Sequence, residues 1–225
     1  MAMTSSRDFT VPLHDGGDGE QPGGALWVAR FGLTERFAHW WTVAMVATAL
    51  LTGLAMGDDG GSGPILWMHA GSVVLIGVGL AAALLVGNGR ALLRAARQLF
   101  NFERRDVRWL RDRVRHPADR GQEPAWGMFN PGQKLLAWAL TASVTAVIAT
   151  GIQAWSAHTG EGSLHGAAVL LTALLLSAHV FMAVLNPATR PALAGMAFGR
   201  VPRSWAAEHH GAWLDDLEGS APGRH

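Results

Sequence analysis

Apolar residues along this 225-residue chain are bunched rather than dispersed. Four runs, residues 38–56, 64–86, 135–155 and 164–185, contain no Lys, Arg, Asp or Glu. At ~1.5 Å of rise per residue, an α-helix over any of them crosses the hydrocarbon core of a bilayer. Open-edged strands cannot do so, and the pattern predicts an all-α integral membrane bundle of four helices. The four spans are expected inside a domain covering residues 26–200, between an N-terminal tail (1–25) and a C-terminal tail (201–225). Residues 1–24 are rich in Gly and Asp and lack an apolar core, so they read as a disordered tail rather than a signal peptide.

Charge adds an orientation. The short connections 57–63 (GDDGGSG) and 156–163 (SAHTGEGS) carry no Lys or Arg; all 18 basic residues lie in the tails and the long central connection. By the positive-inside rule those segments are cytoplasmic, with both termini inside. In the central connection, Arg90, Arg94, Arg97, Arg104, Arg108, Arg111 and Arg115 recur at helical spacing, with Leu93, Leu99, Phe100, Val107, Leu110 and Val114 between them. This basic amphipathic segment suits a helix lying on anionic membrane lipid or under a protein surface, and equally a solvated helix face. Nothing beyond charge points to nucleic acid, and none is expected as a partner. Cysteine is absent, which excludes disulfides, iron–sulfur ligation and a thiol nucleophile within this sequence.

Ten histidines remain as candidate chemistry. His14, His116, His158, His209, His210 and His225 fall in tails or loops, where solvent is expected to satisfy them. His39, His69, His165 and His179 fall inside the apolar runs, where a polar ring is costly unless it faces a partner. His165 and His179 are fourteen residues apart, which on a helix points them within ~40° of each other and separates them by ~21 Å. With the tails inside, His39 and His179 fall near the inner membrane face and His69 and His165 near the outer one. Two cross-helix pairs follow, stacked through the bilayer.

Zinc usually needs three or four ligands including thiolate or carboxylate, and a proton relay would recruit acidic residues absent from these spans. Haem iron needs two axial ligands, and paired histidines suit electron transfer. Gly71, Gly77 and Gly79, with Gly53 and Gly166, make room for a flat macrocycle or serve as helix contacts. A scaffold or transporter in which the histidines only pack is the alternative without a cofactor.

Three stretches carry a family resemblance. RFGLTERFAHWWTVAMVATALLTGLAM is similar to an opening R-F-x-x-x-E-R-x-x-H-W and its span; MFNPGQKLLAWALTASVTAVIATG is similar to a Y-N-x-G-Q-K segment, with Phe129 in place of tyrosine and Pro131 inside the motif. SWAAEHHGAWLDDLE resembles a C-terminal R-W-x-x-x-H-H-x-x-W signature, with Ser204 in place of the basic residue. Together they resemble the cytochrome b (gamma) subunit of membrane-bound formate dehydrogenases, within the di-haem cytochromes b that also serve nickel–iron hydrogenases and thiosulfate reductases.

The resemblance implies two haem b groups, an outer one on His69 and His165 and an inner one on His39 and His179. It implies quinone, menaquinone or ubiquinone, at Asn130, Gly132 and Gln133, although the same residues also make a good turn into a helix. It further implies an electron-transfer anchor in a bacterial inner membrane. Electrons would come from an iron–sulfur beta subunit fed by a molybdenum or tungsten catalytic alpha subunit. A stand-alone di-haem superoxide:quinone oxidoreductase is the rival that needs no partner subunits.

Overall fold

In the computed structural model, the described residues are 26–57, 63–116, 124–157 and 163–219; the expected disordered tail lies outside them. Four helices are long and apolar enough to cross a membrane: α1 (Leu33–Met56), α2 (Pro64–Leu85), α5 (Pro131–Ala157) and α6 (Ser163–Val180), the last continued by a π-helical turn over Phe181–Leu185. Between α2 and α5 lie α3 (Gly89–Phe100) and α4 (Arg104–Arg115). After α6 come α7 (Pro191–Phe198), α8 (Arg203–His209) and α9 (Gly211–Gly219). To the all-α expectation the structure adds one two-stranded antiparallel sheet, β1 (Trp27–Ala29) with β2 (Arg200–Pro202), in which Val28 pairs with Val201.

The spans form two hairpins. α1 packs along α2, α5 packs along α6, and the hairpins touch each other far less. The tightest joint in the first hairpin is Trp41, whose indole fills the notch at Gly79 and donates to Leu75 O at 2.7 Å; a Cβ on Gly79 would collide with that ring. Gly79 is therefore a packing contact. Between 6 and 17% of each apolar window is buried inside the protein, so most of this surface needs hydrocarbon or another apolar partner to cover it.

The compact core lies outside the spans. Val201, Trp205, Ala206 and Trp213 form it, with Val28, Met128 and Ala192 packed against them. Residues 200–219 thus do more than trail from the last span. Gly199, at φ +81°, turns the end of α7 into β2, and its carbonyl accepts from Arg30 N at 2.8 Å. Arg36 donates to the terminal carbonyls of α7, Met196 O at 3.3 Å and Ala197 O, where a cation also suits the helix dipole. Trp40 Nε1 reaches Met196 O at 2.9 Å, so the first span is tied to α7 by two side chains.

The central connection is two helices, because Asn101 and Glu103 are extended and Glu103 caps a new start. Glu103 and Asp106 exchange side-chain and backbone hydrogen bonds in a capping box that starts α4. Asp106, fully buried, also accepts from Lys134 Nζ at 2.7 Å, and Lys134 is itself 7% exposed. This ion pair fastens α4 to the first turn of α5, while Trp138 Nε1 donates to Phe100 O at 3.2 Å and ties in α3.

Removing one member of such a pair strands a buried charge. Lys134→Ala is expected to lower stability by about 3–5 kcal/mol, visible as a reduced unfolding temperature in detergent, and the uncharged combination Lys134→Met with Asp106→Asn should recover most of the loss.

Candidate cofactor site

The four intramembrane histidines meet two by two. His39, in the second turn of α1, faces His179, in the last turn of α6, with ring centroids 6.3 Å apart and planes at 61°. His69, in the second turn of α2, faces His165, in the first turn of α6, at the same 6.3 Å and at 83°. One helix, α6, supplies a ring to each pair, and its fourteen-residue spacing sets the pairs ~21 Å apart along its axis. Each pair joins one hairpin to the other, at places where the helices themselves stand apart. Trp67 and Trp155, in edge contact at 5.7 Å, bridge the hairpins beside the pair nearest the short loops.

The loop-end pair is held by a repeated local device. His69 Nδ1 lies 2.9 Å from Ala49 O and 3.2 Å from Thr52 Oγ1 on the preceding helix. His165 Nδ1 lies 3.1 Å from Val147 O and 3.2 Å from Thr150 Oγ1 on its preceding helix. Among the described residues, the ring nitrogens of His39 and His179 have no comparable partner. The glycines expected to make room divide into two kinds. Gly71, Gly77 and Gly166 have open space where a side chain would begin, whereas Gly53 and Gly79 lie against the His69 and Trp41 rings.

Asn130, Gly132 and Gln133 are at the start of α5. Asn130 Oδ1 accepts from Gln133 N at 2.9 Å, and Gln133 Oε1 accepts from Asn130 N at 3.0 Å. With Pro131 at the first helical position, this is a reciprocal capping box, so the turn reading of the segment holds and both side-chain oxygens are committed to the helix start. The amide NH₂ groups are the donors left over. Gly132 is exposed beside them.

One residue escapes the sequence reading. His210, placed there among the solvent-satisfied histidines, is 1% exposed. Its Nδ1 donates to Gly127 O at 2.7 Å, and its ring sits between Trp205 and Trp213. Arg30 lies 3.4 Å from its other nitrogen, donates to Met128 O at 2.6 Å, and places its guanidinium 5.2–5.5 Å from the Trp205, Trp213 and Phe31 ring centroids. Arg30 Nε and Nη1 have no hydrogen-bond acceptor, so the aromatic faces are what receives this charge. Burial lowers Arg30 to about 10, which leaves it cationic at neutral pH. Burial and then the Arg30 charge push His210 down to about 3, although its bond to Gly127 O opposes them. The signal in the sequence is the W-x-x-x-H-H-x-x-W spacing, which sets both indoles around one histidine.

A membrane bundle that brings half-buried imidazoles from different spans together in twos is the architecture of a b-type cytochrome. Residues 30–199 match the family described as prokaryotic cytochrome b561, and the chain belongs to it; membership implies binding of haem b. The chain is 26% identical over 129 residues to the nitrate-inducible formate dehydrogenase cytochrome b556(Fdn) subunit of Escherichia coli K12, covering 52% of this chain and 57% of that protein. It is 27% identical over 124 residues to the formate dehydrogenase cytochrome b556 subunit of Haemophilus influenzae, covering 49% and 50%. The chain thus spans about half the length of the curated relatives it matches.

His210 predicts an acid sensitivity. Its folded-state value lies below the unfolded 6.5, so the unfolded chain takes the proton first; stability present at pH 7 falls as pH drops below 6.5 and levels off near 3. The slope is at most ~1.4 kcal/mol per pH unit. Limited proteolysis of residues 200–219 should accelerate between pH 7 and pH 4, and His210→Gln should flatten that dependence.

Proposed function

We propose that the chain is the membrane cytochrome b subunit of a formate dehydrogenase, holding two haem b groups, one between His39 and His179 and one between His69 and His165. The observation that carries this reading is the 6.3 Å separation of both ring pairs. One ring of each pair comes from each hairpin, so His39 with His179, and His69 with His165, would each hold one haem iron between them. The names of the Escherichia coli and Haemophilus influenzae relatives favour formate dehydrogenase over the nickel–iron hydrogenase and thiosulfate reductase alternatives.

Haem b at the two pairs would supply one-electron redox chemistry at two depths of the membrane. The protein's own residues do the rest. His69 and His165 are oriented by helix carbonyls. The free NH₂ groups of Asn130 and Gln133 offer hydrogen bonds to a quinone oxygen, and exposed Gly132 allows the ring to approach. The tails and central connection lie in the cytoplasm, on the argument of the arginines. Arg90, Arg94, Arg97, Arg104, Arg108, Arg111 and Arg115 are all exposed on α3 and α4, and so are Val107 and Val114 at 57% and 81%. Charges beside open apolar positions suit contact with an anionic bilayer surface. Partner subunits of the iron–sulfur and molybdenum or tungsten types would deliver electrons at the side of the short loops.

The test is a reduced-minus-oxidised spectrum of the purified protein with haem quantified. Two b-type haems per chain are expected, with one lost in His39→Ala and a different one in His69→Ala. Full haem content in either variant removes that histidine from the assignment, and co-purified iron–sulfur and molybdenum subunits would support the complex.

A further inference from the structure

Both hairpins carry the same two-residue device. Thr52–Gly53 on α1 faces His69 of the following span, and Thr150–Gly151 on α5 faces His165 of its following span. In each case Nδ1 meets the carbonyl three residues before the threonine, and the threonine hydroxyl as well. That hydroxyl has its own proton committed elsewhere: Thr52 donates to Thr48 O at 2.6 Å and Thr150 to Ala146 O at 2.7 Å. It therefore turns a lone pair to the ring. With two acceptors around it, Nδ1 must carry the proton and Nε2 keeps its lone pair.

The glycine explains how the ring comes so close. The acceptor carbonyl of Ala49 or Val147 is the one four residues before Gly53 or Gly151, on the same flank of the helix. A Cβ there would stand 3.3 Å from His69 Cε1 or 3.2 Å from His165 Cε1, tighter than ordinary contact. Nothing equivalent serves His39 and His179 among the described residues.

We propose that Thr52–Gly53 and Thr150–Gly151 are positioning residues that make the His69/His165 centre the more reducing of the two. The inference rests on the haem ligation proposed above. An imidazole that donates Nδ1–H to a fixed acceptor is the stronger base at Nε2, and a stronger axial base stabilises ferric over ferrous iron. Among the described residues, both rings of one centre are so polarised and neither ring of the other is. The resulting difference favours electron movement from the loop end of the bundle to the tail end.

The experiment is an optical redox titration of the full-length protein in its membrane, with each centre assigned by its loss in His69→Ala or His39→Ala. The centre lost in His69→Ala is expected to have the lower potential. In the Thr52→Val, Thr150→Val double variant its ferric-to-ferrous balance should weaken about tenfold, which is 59 mV for a one-electron couple. The other centre should stay where it was, and Thr→Ser at both positions should restore the original value. If the double variant loses that haem, each single variant should still show about a threefold change. An unmoved potential with both haems retained, an equal shift of both centres, or a higher potential for the His69 centre in the unmodified protein would overturn the tuning and leave the ligands standing. Fewer than two haems in the unmodified protein would overturn both.

Discussion

A neutral imidazole in hydrocarbon has two nitrogens to satisfy, and this requirement organises the membrane part of the molecule. At the loop end each ring spends Nδ1 on the neighbouring helix and lies against a ring of the opposite hairpin. The two hairpins, which share little direct packing, acquire a common geometry through these rings. At the tail end His39 and His179 approach each other equally closely, but among the described residues no helix carbonyl steers them. The two ends of one bundle thus use the same residue type under different constraints.

The membrane-spanning hairpins and the compact tail assembly are stabilised by different physics. The spans keep apolar side chains outward and bury small residues, as the Trp41 contact at Gly79 shows. The tail assembly is a small core of the aqueous kind, with Val201, Trp205 and Trp213 at its centre and Arg30 enclosed by aromatic faces. Arg36 and Trp40 join the first span to the end of α7, and Lys134 with Asp106 joins the third span to α4 of the central connection. Each places a polar group at the boundary, where a helix end leaves carbonyls or amides unsatisfied.

The spans and the four histidines were legible because they depend on one-dimensional quantities, namely run length, helical period and the alternation of direction imposed by short loops. Asn130 and Gln133 were legible as a motif, and the structure adds what a motif cannot say, that their oxygens already bond each other's backbone. The N-x-x-Q spacing before an apolar run is a capping signature in its own right. His210 was not legible as buried, since its burial is created by residues 83 and 180 positions away in sequence, at Gly127 and Arg30. The basic segment reads as one period but folds as two helices, because Asp106 is drawn into a capping box and an ion pair with a residue of α5. Periodicity sees a face; it does not see a distant lysine.

The pairing of residues 27–29 with residues 200–202 has a consequence for biogenesis. Strand β1 finds its mate only after every span has been threaded into the bilayer, so for most of synthesis its edge is unsatisfied. Closure of this small sheet is a late event that reports on the whole insertion process. Misthreading of any span would leave the two strands on opposite sides of the bilayer or out of reach, and the aromatic cage around Arg30 could not assemble.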